Sequence, residues 1–186
     1  MPTLERDIDD MPAEELRPSE DEDLHTLKRM VWFVRHAQVE IDLGRPSSTW
    51  PLSAEGRASA DELAERLAPV PRVLSSPEPK AVATAAPLAR RSGVELELDE
   101  RLREVERRSN LPDAEAHRAA VRDYLGGSLV AGWEHASAAR SRFAAALAGV
   151  DDTAVVTHAT VLSLYLGYDF DAWARIGLPD VIEWTR

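Results

Sequence analysis

Two apolar segments of the sequence end abruptly on side chains that can do chemistry. Residues 31–35 have the composition of a buried strand and run into Arg35 and His36, and residues 153–157 run into His158 in the same way. Because the carboxyl ends of parallel strands in an open α/β sheet converge on one crevice, both histidines are expected to face the same pocket. An arginine in that pocket indicates an anionic ligand.

These residue types suit phosphoryl transfer. A neutral imidazole can attack phosphorus at physiological pH and divide the reaction into two steps through a phosphohistidine, which makes His36 the candidate nucleophile. The transferred group spreads negative charge over its oxygens, so the site needs fixed positive charge around it. Arg35 is the first candidate phosphate-binding residue, Lys80 a second, and His158 can donate a further contact.

The departing oxygen needs a proton, and a carboxylic acid can supply one when burial or a bound phosphate raises its pKa. Glu104 is the favoured donor because it lies in a segment that can overhang the carboxyl edge of the sheet. Glu100 and Glu106 are close enough in sequence to remain alternatives.

The elements that position these residues follow from the hydrophobic pattern. From residue 30 onward, short apolar runs alternate with segments of helical period, which predicts strands covered by helices on both faces. Strands are predicted near residues 31–35, 72–76, 94–100 and 153–157. Helices are predicted after the capping residue Ser53 and over residues 80–91, 113–125, 134–148 and 160–168, with a kink at Pro87.

The loop after the first strand, residues 37–52, is expected to line the pocket. It is rich in turn-forming residues and carries a tryptophan, Trp50, that could cover a bound substrate. We predict substrate contacts from Gln38, Ser48 and Trp50.

Composition limits the classes of protein to consider. A chain of 186 residues fits one domain, here residues 30–186, preceded by an acidic extension over residues 1–29 that is either partly mobile or a short docked helix. The net charge of −11 disfavours nucleic-acid and anionic-membrane partners. The absence of cysteine excludes thiol chemistry and cysteine-ligated metals, and no signal peptide or spanning segment is visible. We therefore predict a cytoplasmic protein.

The motifs together resemble the histidine phosphatase superfamily, also called the phosphoglycerate mutase-like family. The family's R-H-G, L-T/S-x-x-G, S-S-P-x-x-R-A-x-x-T-A, L-x-E and final H-G elements have counterparts in this order. They are found at residues 35–37, 52–56, 75–85, 102–104 and 158–159. Its G-E-S element followed by an arginine is similar to residues 132–135 followed by Arg142.

The resemblance implies a three-layer α/β/α sandwich with a mostly parallel central sheet. It also implies a reaction without metal or cofactor through phosphorylated His36, with phosphate held by Arg35, Lys80 and His158 and protonation by Glu104. Relatives of this length are usually phosphatases rather than mutases. A small phosphorylated metabolite is then the expected substrate, and the oligomeric state stays open between monomer and homodimer.

Three departures from the family pattern leave alternatives open. Lysine replaces the family's second arginine at Lys80, and alanines follow both histidines at Ala37 and Ala159. A phospholigand-binding protein with little catalysis, or a phosphatase of phosphohistidine proteins, would fit these changes. The remaining histidines, His25, His117 and His135, are expected to have surface or packing roles, and the arginines on either side of Glu104 are expected to form a solvent-exposed face: Arg103, Arg107 and Arg108.

Overall fold

A five-stranded sheet forms the centre of the computed structural model, which describes residues 30–108 and 110–185. The predicted acidic extension, with His25, lies outside the described residues. The strands are β1 (Met30–Arg35), β2 (Arg72–Ser75), β3 (Leu96–Leu98), β4 (Thr153–Thr157) and β5 (Asp180–Thr185). Their order is β3-β2-β4-β1-β5, and only β5 runs antiparallel to its neighbour.

Helices cover both faces of this sheet. The helices are α1 (Ala54–Arg66), α2 (Pro79–Ser92), α3 (Ala114–Leu125), α4 (Ala136–Ala146), α5 (Ala159–Leu166) and α6 (Phe170–Arg175). One apolar cluster joins α1 and α2 to the sheet, and a second joins α3, α4 and α5 to the opposite face. The predicted three-layer α/β/α architecture with a mostly parallel sheet is therefore confirmed.

The alternation of side chains in β1 explains how one strand serves two cores. Val31 and Phe33 are buried against the α4 and α5 side, whereas Val34 is buried against α1 and α2. β4 lies between β1 and β2 and is buried along its whole length. The two strands that precede the histidines thus lie side by side within the sheet.

The loop after β1 is fastened to the start of α1. The Ser53 hydroxyl caps α1 by accepting a hydrogen bond from the Gly56 amide at 3.0 Å. A Cβ atom at Gly56 would lie 2.0 Å from the carbonyl oxygen of Gln38, so only glycine allows this approach. The L-S-x-x-G motif therefore positions the segment that follows His36.

Two local features differ from the sequence predictions. β3 is shorter than the predicted strand, and Leu98 is 55% exposed at the edge of the sheet. Helix α2 includes Pro87, as the predicted helix did. Helix α6 was not predicted, because six residues are too few for a helical period to be recognised. No helix in the part of the chain that the structure describes is long and apolar enough to cross a bilayer.

Candidate active site

The two histidines leave the sheet side by side. Arg35 and Thr157 are register partners in the parallel pair β1 and β4, and His36 and His158 follow them directly. The His36 amide donates to the Thr157 carbonyl at 3.0 Å, and the two imidazole centroids are 5.2 Å apart. The structure thus places both side chains in one site at the carboxyl edge of the sheet.

The hydrogen bonding of His36 defines its tautomer. Its Nδ1 atom lies 2.7 Å from the Ala37 carbonyl oxygen, which can only accept, so Nδ1 carries the proton and Nε2 has a free lone pair. Burial, reinforced by His158 and Lys80, lowers the pKa of His36 well below its ordinary value of 6.5. The imidazole is therefore neutral at physiological pH, as a nucleophile must be.

His158 is completely buried behind His36. Its Nε2 atom is 2.8 Å from the Ser76 hydroxyl and 3.5 Å from a carboxylate oxygen of Glu78. Burial and the charge of Lys80 lower the pKa of His158 well below 6.5. The second histidine is therefore also a neutral hydrogen-bonding group at physiological pH.

Lys80 is buried and already engaged. Its Nζ atom lies 2.7 Å from the Glu78 carboxylate and donates to the Ser47 carbonyl at 2.7 Å. The Glu78 carboxylate is buried as well and also accepts a hydrogen bond from the Glu104 amide at 2.9 Å. Lys80 is thus a cation largely neutralised by Glu78, a residue that the sequence analysis did not single out although it lies within the motif.

Arg35 reaches the same edge of the sheet from β1. Its Nη1 atom donates to the carbonyl oxygens of Ile176 and Gly177, just after α6, and its buried Nε atom has no hydrogen-bond partner among the described residues. This anchoring fixes the guanidinium group at the site and leaves part of its hydrogen-bonding capacity unused.

The surroundings of Glu104 do not favour the predicted role of proton donor. Its carboxylate accepts hydrogen bonds from the amides of Val105, Thr160 and Val161, the last two in the first turn of α5. Burial alone would raise the pKa of Glu104, but the charge of Arg107 and the amides of Val105 and Val161 help to outweigh it, and the pKa is lowered to about 2. In the free protein this carboxylate therefore holds no proton to donate.

Arg107 and His117 belong to the site, contrary to the surface and packing roles predicted for them. The Arg107 guanidinium lies 3.6 Å from the Glu104 carboxylate, 3.2 Å from Nδ1 of His117, and over the Trp133 ring at 4.9 Å. Burial and the Arg107 charge lower the pKa of His117 to about 4. No local pattern in the sequence signals Arg107, because a bridge to distant Trp133 positions it.

A cavity of about 220 Å³ joins these groups. Its walls include Arg35, His36, Lys80, Glu104 and Arg107 together with parts of the loop after β1, whereas the fully buried His158 is not among the wall residues. Of the predicted substrate contacts, Trp50 lines this cavity. Gln38 and Ser48 are exposed and lie outside its described lining, where Ser47 is found instead.

The alanines that follow the histidines cause no backbone strain. Neither Ala37 nor Ala159 has a positive φ angle; among the described non-glycine residues only Asp152 has one. The Ala37 amide donates to the Thr84 hydroxyl at 3.0 Å, and Ala159 is the first residue of α5. Alanine is therefore compatible with the site geometry at both positions.

The mostly parallel sheet, with a neutral histidine and several cationic side chains at one edge, is typical of α/β proteins that bind phosphate groups. A family model for the histidine phosphatase superfamily (branch 1) matches residues 31–185. The chain belongs to this superfamily. No curated protein sequence matches it.

Solved structures similar to this chain include phosphatases. A mycobacterial hydrolase has a TM-score of 0.66 at 22% identity, with 84% of this chain and 91% of that chain covered. A mycobacterial glucosyl-3-phosphoglycerate phosphatase solved with VO3 has a TM-score of 0.59 at 25% identity, with 74% and 80% covered. A protein from Thermus thermophilus has a TM-score of 0.58 at 26% identity, with 75% and 86% covered.

Proposed function

We propose that the protein is a metal-independent phosphatase that hydrolyses phosphate monoesters through a phosphohistidine on His36. The observation that carries this proposal is the hydrogen bond from His36 Nδ1 to the Ala37 carbonyl, which leaves Nε2 unprotonated at the cavity. Membership of the histidine phosphatase superfamily, with phosphatases among the similar structures, supports the same reaction class.

In the first step, His36 Nε2 attacks phosphorus, an N–P bond forms, and the bond to the ester oxygen breaks. The positive charge that develops on the imidazole is stabilised by the Nδ1 hydrogen bond to Ala37. Arg35, Lys80 and Arg107 surround the cavity and offset the charge on the phosphoryl oxygens. In the second step, water attacks phosphorus, the N–P bond breaks, and inorganic phosphate leaves.

The ionised state of Glu104 limits the esters that can be hydrolysed quickly. A bound phosphate would have to raise the Glu104 pKa from about 2 by several units before this residue could protonate a departing oxygen. Esters whose oxygen leaves as a stable anion need no such proton. We therefore propose that the enzyme favours good leaving groups.

The test is hydrolysis of 4-nitrophenyl phosphate by the purified protein in excess chelator. The wild type is expected to turn over, His36→Ala to lose at least about a thousandfold in kcat, and His135→Ala to retain full activity. His135 is an exposed histidine outside the lining of the cavity, which makes it the matched control. Activity that needs a metal, or that persists without His36, contradicts the proposal.

Rapid quenching with labelled substrate tests the intermediate directly. An acid-labile, base-stable label on the wild type, absent from His36→Ala, is expected for a phosphohistidine. Turnover with no such adduct on His36 would contradict the two-step route.

A second candidate function is phospholigand binding with little catalysis. It is favoured by one observation, the neutralisation of Lys80 by Glu78 at 2.7 Å in a buried pair. Tight vanadate binding without detectable turnover of any ester would support this candidate, whereas steady hydrolysis of 4-nitrophenyl phosphate would eliminate it. A phosphatase of phosphohistidine proteins, which needs little acid assistance, would instead hydrolyse a phosphohistidine peptide faster than any small ester.

A further inference from the structure

A second cavity of about 220 Å³ opens beside the phosphate site. The two cavities share five wall residues, Ile41, Ser47, Trp50, Arg107 and His117. A group attached to a phosphate in the first cavity could therefore extend directly into the second.

The walls particular to the second cavity are mainly apolar. They include Leu43, Leu111 and Ala114, and they continue from Ile41 and Trp50 in the shared wall. Ile41 is 67% exposed and Leu43 is 52% exposed, which is unfavourable for large aliphatic side chains unless a ligand covers them. The surface thus offers a place for an apolar group.

Several polar groups of this cavity are already paired within the protein. The Asn110 amide donates to the carbonyl oxygens of Leu43 and Arg45, and the Asp113 carboxylate caps α3 by accepting from Ala116. His117 is paired with Arg107. A ligand rich in hydroxyl groups would find few free partners here and would lose hydrogen bonds to water on entry.

Hydrogen bonds also hold the loop in place before any ligand binds. The Trp50 indole donates to the carbonyl oxygens of Asp42 at 2.7 Å and Arg45 at 3.1 Å. Together with the contacts of Asn110, these bonds join the loop after β1 to the segment before α3. The apolar cavity is therefore formed in advance, and binding requires little ordering of the chain.

We propose that this second cavity binds the leaving group of the substrate, and that the group is apolar and aromatic. This inference rests on the proposed phosphatase function and names its substrate class as aryl phosphate monoesters. An aryl oxide leaves without a strong acid, which suits a site whose nearest carboxylate is held by backbone amides.

Phenyl phosphate and 2-naphthyl phosphate test the cavity, because their leaving groups have similar acidity and differ in apolar size. The additional ring is expected to raise kcat/KM by about tenfold, as burial of its carbon surface predicts. Glycerol 2-phosphate, which is small and polar, is expected to be the poorest substrate of the three.

Filling the cavity should abolish this preference. Ala114 is the first residue of α3 and lines only the second cavity, so Ala114→Trp is expected to lower naphthyl turnover about tenfold more than it lowers phenyl turnover. Ala119→Trp, at an exposed position of the same helix outside both cavities, is the matched control. Leu43→Asp, in the exposed loop, should reduce naphthyl turnover in the same way.

Binding separates failure of this inference from failure of the phosphatase function. Calorimetry with His36→Ala is expected to show tighter binding of 2-naphthyl phosphate than of phenyl phosphate, without any need for turnover. Equal affinities, or a preference that Ala114→Trp and Leu43→Asp leave intact, would overturn the aromatic site even in an active enzyme. A naphthyl preference in binding with no hydrolysis by the wild type would overturn the phosphatase function instead.

Discussion

Glu104 shows how a buried carboxylate can organise a site through hydrogen bonds to the backbone. Two of its hydrogen bonds come from the amides of Thr160 and Val161, which lack partners within the helix at the start of α5. The same turn follows His158 directly. The carboxylate therefore fixes the start of the helix that follows the second histidine, and its negative charge is stabilised there.

The first prediction concerns Glu104→Gln. The glutamine amide cannot accept all three backbone hydrogen bonds, so the free energy of unfolding should fall by about 2 kcal/mol. Hydrolysis of aryl and alkyl phosphates should slow by the same factor, because the loss is one of positioning. Urea denaturation and parallel kinetics on the two ester classes measure these effects.

The nearby exposed residue Glu106 provides the control, and Glu106→Gln should change neither stability nor rate. A selective loss of alkyl ester hydrolysis in Glu104→Gln would instead identify this residue as the proton donor.

The buried pair of Lys80 and Glu78 sets the charge available to phosphate. The Lys80 ammonium group lies 2.7 Å from the Glu78 carboxylate, so the pair together exerts little electrostatic attraction on a nearby anion. The Glu78 carboxylate also competes with phosphate for this ammonium group. The exchange of the family's arginine for lysine thus matters less than the carboxylate beside it.

A second prediction follows for Glu78→Gln. Phosphate and vanadate should bind about tenfold more tightly, because Lys80 then has no competing carboxylate. The ligand-free protein should lose about 3 kcal/mol of stability, because the variant leaves a buried cation unpaired. Thermal unfolding should therefore show a lower Tm for the ligand-free variant than for the wild type. The rise in Tm that vanadate causes should be larger in the variant. An unchanged shift would place Lys80 outside phosphate binding.

At the residue scale, the sequence predicted the groups whose position depends on a strand end. Arg35, His36 and His158 follow apolar runs directly, so their meeting at the sheet edge could be foreseen. Arg107 lies in an irregular segment. Its position in the site depends on a β-bridge to Trp133, which is distant in sequence. No local pattern encodes such a contact, which is why a solvent-exposed face was predicted for it.

At the element scale, one hydroxyl group connects α2 to the loop that follows the proposed nucleophile, His36. Thr84 is fully buried, accepts from the Ala37 amide at 3.0 Å and donates to the Lys80 carbonyl at 2.8 Å. Ala37 also supplies the carbonyl that fixes the His36 tautomer. Helix α2 thus orients the peptide on which the reactivity of His36 depends.

The third prediction is that Thr84→Val impairs both stability and catalysis. Valine has nearly the same shape but cannot accept a hydrogen bond, so the buried Ala37 amide loses its partner at a cost of about 2 kcal/mol. A misoriented Ala37 carbonyl should lower kcat more than it changes KM. Thr84→Ser keeps the hydroxyl and should restore both properties, as urea denaturation and steady-state kinetics would show. If Thr84→Val has the same stability and kcat as the wild type, the Thr84 hydroxyl does not position Ala37.

The layers were easier to foresee from the sequence than the cavity walls. The long periodic helices α1 and α2 and the apolar strand β4 are fixed by their own patterns. The walls of the second cavity come from the loop after β1 and the start of α3, whose contact depends on Asn110 reaching two loop carbonyls. Such contacts between a side chain and the backbone leave no periodic pattern in the sequence. The sequence therefore predicted that the loop lines the pocket, but not that the start of α3 packs beside it.

For the whole molecule, the burial of three imidazoles makes folding depend on pH. His36, His117 and His158 have pKa values lowered by burial, so the folded chain resists protonation at these sites. The unfolded chain binds these protons near pH 6.5. Stability from this source is therefore full above pH 6.5 and declines as the pH falls below it.

The last prediction is a loss of stability between pH 6.5 and about pH 5, an interval in which most carboxylates are still ionised. Each buried histidine should lower the free energy of unfolding by about 1 kcal/mol per pH unit. The chain has a net charge of −11, and protonation of its carboxylates would relieve the repulsion between them. Because this protonation occurs at lower pH, it cannot offset the loss of stability in this interval. Urea denaturation across the interval measures the slope, and His117→Asn should reduce it. A flat or rising stability toward pH 5 would show that the imidazoles are protonated in the folded protein.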